Sequence, residues 1–280
     1  MDPVEIQTTI TLSRVAAGAI PFGVAVARVG IESVDIYGKG THVLEDGTGV
    51  WTPSANVTAT NPATGLDGET AVFLEIATGF TTGIVAYRTT PTANLVLSLD
   101  TFWGLLIKAS INVAAGVLTI NVDEGAALAT APQPSNIPAL VAGEWTYVQV
   151  AITGATTTRD TANSFGIVAV SDPAIVDLTI QRVTTNLAAY YNIAGIVKND
   201  EARDDNISKQ YDELTIIGAG HANPVVDDAF TCVAEQPVYF VPGTGVVSTT
   251  KIATAGITGI RSANATQDQT TAGKQTGVRF

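Results

Sequence analysis

Few side chains in this chain are of types that do chemistry, and their spacing decides what that chemistry could be. The histidines are His42 and His221, far apart in sequence, and Cys232 is the single cysteine. One cysteine makes no intrachain disulfide and no Cys-rich zinc site. In the run Phe230-Thr231-Cys232-Val233 it reads as a small buried hydrophobe. No HExxH, Walker A or GxSxG pattern occurs, so zinc-peptidase, P-loop and serine-hydrolase chemistry has no local footing. Gly38-Lys39-Gly40-Thr41 has the look of a phosphate loop but lacks the upstream glycine at the required spacing. Carboxylates remain. Two acids facing across a groove make a glycosidase, but the acid spacing here is unremarkable and aromatic content is only 6%. Asp204-Asp205-Asn206 lacks the alternation and glycine of an EF-hand loop, and Asp227-Asp228 reads likewise as a solvated turn. No catalytic, cofactor-binding or metal-binding residue is assigned, no cofactor is implied, and the chain is not expected to be an enzyme.

Composition says what must position such side chains. The 280 residues suit one large β domain or two smaller ones. Fourteen Lys+Arg against 26 Asp+Glu leave a formal charge of −12, the opposite of the basic footprint that nucleic acid demands. Charged residues are 14% of the chain, well below the roughly 25% of an ordinary soluble domain. Counts of 39 Thr, 39 Ala and 26 Gly favour strands and turns over helices. The first residues have no positive n-region or apolar h-region. The apolar stretch 15–29 is broken by Gly18, Pro21, Gly23 and Arg28, short of the ~20 residues of a membrane helix. A soluble protein made in a cytoplasm, without nucleic acid or membrane as partner, is expected.

Residues 1–40 are apolar and Gly-punctuated, with short strands expected at 7–12 and 33–37. From 41 to 185 the text alternates with period two. Val72, Leu74 and Ile76 share a face opposite Glu75; Leu95, Leu97 and Leu99 alternate with Val96, Ser98 and Asp100. Leu118, Ile120 and Val122 form another such face, as do Val176, Leu178 and Ile180. This spacing, with Gly, Pro and Asn between runs, predicts an antiparallel sandwich. Trp103 and Trp145 are expected to fill its core. Residues 185–208 carry the best helical spacing, interrupted by Gly195 and followed by the charged loop 198–206. Strands at 214–217, 229–233 and 238–241 predict a smaller β region over 186–248. Residues 249–280 form a Thr/Ala/Gly-rich arm, with Lys251, Arg261, Lys274 and Arg279 against Asp268. That slightly basic arm on an acidic body is expected to order against a neighbouring subunit, as a strand added to its sheet edge.

One resemblance gathers these pieces. In order, Glu45-Asp46-Gly47-Thr48-Gly49-Val50-Trp51, Gly68 to Ile76, Leu95 to Asp100, Trp103 to Ser110, Ala114 to Ile120, Ile137 to Leu140, Gly143 to Val148 and Ile175 to Ile180 resemble jelly-roll domains of the carbohydrate-binding-module and laminin-G type. The likeness covers residues 41–185. It implies an all-β fold: a jelly-roll β-sandwich, a smaller C-terminal β region and an extended arm. Such domains are common in tailed-phage virion proteins. The resemblance therefore implies a structural protein of the virion's outer surface, of capsid decoration type, with the major capsid protein or other virion subunits as partners and a homo-oligomeric state. The alternative it implies is a glycan-binding module of a tail or attachment protein. Some jelly rolls of this kind hold a structural calcium, for which Glu45-Asp46, Asp123-Glu124 and Asp177 are the candidates.

Overall fold

A computed structural model describes residues 40–186 and most of 237–253 with their side chains, and elsewhere the backbone of further strands. The chain divides into two compact units: Met1–Lys39, Tyr190–Lys251 and Thr258–Phe280 form one, and Gly40–Ala189 with Ile252–Ile257 form the other.

The second unit is a jelly-roll sandwich of twelve strands, antiparallel except for the last. In chain order they are β1 (His42–Glu45), β2 (Thr52–Pro53), β3 (Val57–Thr64), β4 (Thr70–Ile76), β5 (Gly83–Thr89) and β6 (Phe102–Ala109). Then follow β7 (Leu118–Asp123), β8 (Gln133–Asn136), β9 (Trp145–Ala151), β10 (Ser164–Ala169), β11 (Asp177–Asn186) and β12 (Ile252–Ala255). The larger sheet has the order β12-β9-β6-β11-β4-β3, with β1 also on β11; the smaller has the order β8-β7-β10-β5-β2. Alternation makes the sandwich. Val72, Leu74 and Ile76 of β4, with Leu178 and Ile180 of β11, meet Ile120 and Val122 of β7 and Phe165 and Ile167 of β10 in one buried apolar cluster. At roughly 25 cal/mol per Å2 of apolar surface removed from water, that cluster is the main stabilising force.

Two expectations within this unit are corrected. Residues 95–100 are not a strand. Leu95 makes an isolated bridge to Ala162, and the Asp100 amide turns back onto the Leu97 carbonyl at 3.1 Å. Leu97 is wholly buried while Leu99 is 73% exposed, so the period-two leucines mark a loop pinned at its middle. Trp103 does lie in the core, fully buried. Trp145 is buried but stands outside the core cluster. It shares the outer face of β9 with Tyr147 and Gln149, whereas Val148 and Val150 turn inward. Its register partner is Lys108 on β6, whose ammonium lies 5.1 Å from the ring centroid, a cation–π pair.

In the first unit, Ile10–Ala16, Glu213–Ala219, Ile193–Val197, Ala25–Arg28 and Ser33–Ile36 close into a small barrel. Its N-terminal strand pairs with Glu213–Ala219, so strands some two hundred residues apart in sequence are neighbours. Ile193–Val197 is a strand, not part of the helix expected over 185–208, and β11 itself runs on to Asn186. Two β-branched isoleucines and a valine outweigh the partial helical spacing. A separate sheet has the order His221–Ala222, Val278–Arg279, Ala263–Ala265, Pro237–Phe240 and Val247–Ser248. The strand expected at 229–233, with Cys232, lies outside the described residues, as do Gly38 and Lys39. The arm, expected to order against a neighbouring subunit, pairs within its own chain: Ile252–Ala255 runs parallel to Trp145–Val148, and Ala263–Ala265 and Val278–Arg279 join the sheet of Pro237–Phe240 and His221–Ala222.

Candidate functional site: a pocket beside a buried glutamate

The segment after β1 folds around one carboxylate. Glu45 is 1% exposed. Its Oε1 accepts hydrogen bonds from the backbone N–H groups of Asp46, Gly47 and Gly49 at 3.1, 2.7 and 3.0 Å. Its Oε2 accepts from the Trp51 indole at 2.6 Å and from Arg88 at 2.7 Å. Arg88 also donates to the Leu44 carbonyl at 2.9 Å. Glycine is required at 47, where φ is +88° and a Cβ would run into the Thr70 backbone. Asn61 closes the far side, its amide donating to the Gly47 and Gly49 carbonyls at 3.1 and 2.6 Å. Trp51 then packs edge-on to Phe165, centroids 5.4 Å apart, tying the loop to the core.

Beside this clamp lies a cavity of about 180 Å3 lined by Val43, Glu45, Asp46, Thr48, Arg88 and Pro91, with Leu44. It is smaller than the roughly 300–1,000 Å3 of drug-sized ligand sites. Asp46 accepts from the Thr48 hydroxyl at 2.6 Å and the Thr48 amide at 3.2 Å through one oxygen. That hydroxyl bond, outweighing partial desolvation, holds the Asp46 carboxyl below its usual range. The Arg182 guanidinium feels the charges of Asp46 and Glu69, though burial is the larger influence and lowers its proton affinity. The pocket is lined by the ionised Asp46 carboxylate, the Thr48 hydroxyl that donates to it and the Arg88 guanidinium that pairs with Glu45, beside the apolar Val43 and Pro91.

A second polar cluster sits where β1 and β11 meet. The His42 Nδ1 lies 2.6 Å from Asp100 Oδ2, and the Thr185 hydroxyl donates to the same oxygen. Buried Arg159 donates to the Leu97 and Asp100 carbonyls, each at 3.1 Å. A histidine–carboxylate pair is half of a proton-transfer device, but the hydroxyl here bonds the acid and not the imidazole. The arrangement fastens the strand that enters the sandwich to the one that leaves it. Sequence reading found neither this pair, whose members are 58 residues apart, nor the role of Glu45.

The residues named as calcium candidates are not brought together. Glu45 is taken up as described. Buried Asp123 accepts from the Thr130 and Ala131 amides at 2.8 and 3.1 Å, bracing the loop after β7. Asp177 stands opposite Glu75 across β11 and β4. Among the described residues no group of three or more His, Cys, Asp or Glu lies close enough to share a metal ion.

Asp123 carries a pH prediction. Desolvation raises its pKa, but amide bonds from Thr130, Ala131, Gly125 and Glu124 prevail and leave it lowered. A carboxylate lowered in the folded state adds stability above its unfolded pKa of about 3.9, lost as pH falls through the lower folded value. Asp123→Asn is expected to cost about 1–3 kcal/mol at pH 7, with a smaller difference from wild type at pH 2. Urea denaturation at both pH values checks this; an equal gap at both would refute the linkage.

No family model matches this chain, and none of the curated proteins matches it. Solved structures similar to it include an exo-beta-agarase, with a TM-score of 0.37 and 14% identity over 53% of this chain and 25% of that one. A second is the CBM22-1-GH10 portion of a Clostridium thermocellum endo-1,4-beta-D-xylanase complexed with xylohexaose, with a TM-score of 0.36 and 13% identity over 53% and 28%. A third is a CBM22-1 xylan-binding domain from Paenibacillus barcinonensis, with a TM-score of 0.34 and 13% identity over 54% and 99%. This chain therefore spans about a quarter of the first two and nearly all of the third. Likeness of this order carries no weight for what the chain binds.

Proposed function

We propose that this chain is a non-catalytic jelly-roll binding module that takes a saccharide ring in the pocket of Asp46, Thr48 and Arg88. The pocket itself carries the reading. A sugar ring presents hydroxyls at its edge and C–H groups on its faces. The Asp46 carboxylate and Arg88 guanidinium suit the hydroxyls as acceptor and donor, and Val43 and Pro91 suit the C–H faces. Asp46 is surface-exposed, so its replacement leaves the Glu45 clamp intact. On a glycan array followed by calorimetry, Asp46→Ala is expected to weaken binding about tenfold or more, the worth of one charge-assisted hydrogen bond, with an unchanged melting temperature. Absence of any glycan ligand, or equal binding by the variant, would remove the proposal.

A second reading is assembly on the outer surface of a tailed-phage particle, through a major capsid protein or other virion subunits. What favours it is a chain poor in charged residues, 14% of the total, with exposed apolar side chains in loops: Val96 and Leu99 in one, Val170 and Ile175 in another. Co-sedimentation with bare capsids tests it, and no co-sedimentation at any stoichiometry would discard it.

A further inference from the structure

We infer that β12, residues Ile252–Ala255, is an exchangeable strand whose second acceptor is the β9 edge of another copy of this chain. The strand is four residues long and parallel to β9, in register Trp145 with Ile252 through Val148 with Ala255. Parallel pairing is slightly the weaker kind per residue, and Ile252 is its only large side chain, 6% exposed.

Its connections are the second observation. The flanking segments Tyr190–Lys251 and Thr258–Phe280 belong to the other compact unit, so the six residues that include β12 are a short excursion of the chain out of that unit. Withdrawing it breaks one edge ladder and uncovers Ile252, the strand's one large side chain. The sandwich cluster contains no residue of β12, so that core stays whole.

The acceptor edge explains why the strand is needed. Trp145, Thr146, Tyr147 and Val148 are all buried, and without β12 their outward amides and carbonyls would be an open template for another chain. An identical strand from a second copy satisfies that edge with the same contacts. Exchange therefore needs no new interaction energy, and concentration sets its extent. This rests on strand pairing alone and is independent of the saccharide pocket.

Crosslinking in trans tests it. In a Cys232→Ala background, one chain carries Thr146→Cys and the other Ala253→Cys, residues that face each other in the ladder. The two are mixed, oxidised mildly and weighed. Exchange predicts a mixed disulfide dimer about tenfold more abundant than from Ala253→Cys mixed with Ala115→Cys on an exposed loop, rising with concentration. A yield equal to that control overturns the proposal. The unmodified chain gives a second readout by light scattering from about 10 μM to about 1 mM. A dimer fraction diminished by Ile252→Asp supports exchange, and a wild-type monomer at every concentration overturns it.

Discussion

Glu45→Ala is expected to cost the sandwich about 3–5 kcal/mol, because removing the buried partner of an ion pair leaves the donors that converge on it without their acceptor. Four donors lose their acceptor together, three loop amides and the Trp51 indole, and the Arg88 guanidinium loses its counter-charge and keeps the Leu44 carbonyl. Glu45→Gln keeps the shape and one acceptor oxygen but loses the charge, so about 1–3 kcal/mol is expected for it. Arg88 is partly open to water, 19% exposed at its side chain. In the Arg88→Ala background the further loss on Glu45→Ala should therefore be smaller than in the wild type, since the pair is then already broken. Guanidinium denaturation of the four proteins measures this cycle. A Glu45→Ala loss under about 1 kcal/mol would show that the loop is held by something else.

Trp103→Ala is expected to cost a similar 3–5 kcal/mol, the range for deleting a buried indole from a packed core. The side chain is fully buried between the sheets. Its Nε1 has no hydrogen-bond partner among the described residues. That detail makes the conservative variant diagnostic. Trp103→Phe removes an unsatisfied buried donor along with some volume, two effects of opposite sign, and should cost less than half of Trp103→Ala. Thermal unfolding of both variants decides it. Equal losses would mean that the indole N–H is satisfied and matters as much as the ring.

Much of the sandwich was legible because period-two alternation needs only local information. Val72-Leu74-Ile76, Leu118-Ile120-Val122 and Leu178-Ile180 face the core as their spacing predicts. The same rule misled at Leu95, Leu97 and Leu99, where alternation is kept but the backbone turns, since the Arg159 guanidinium takes up the loop's carbonyls. It was silent on which face of β9 meets the core. Trp145 and Val148 are both apolar, and only the pairing with β6 and the neighbouring sheet decides between them.

The sequence by itself determined the all-β class, the turns, and the poverty of histidine and cysteine chemistry, because these follow from residue types and short-range spacing. Tertiary structure alone decided the rest. Glu45 and Asp46 are adjacent acids that look alike in sequence. Folding carries Arg88, 43 positions away, onto the first and leaves the second at the mouth of a pocket. His42 and Asp100 become partners only because β1 pairs with β11 beside the loop that holds Asp100. The arm was legible as extended, strand-forming chain, but neither the position of its first strand nor that strand's acceptor was. A sheet edge offers the same amides and carbonyls whichever chain supplies it, so composition cannot specify the partner and only the ladder between Ile252–Ala255 and Trp145–Val148 does.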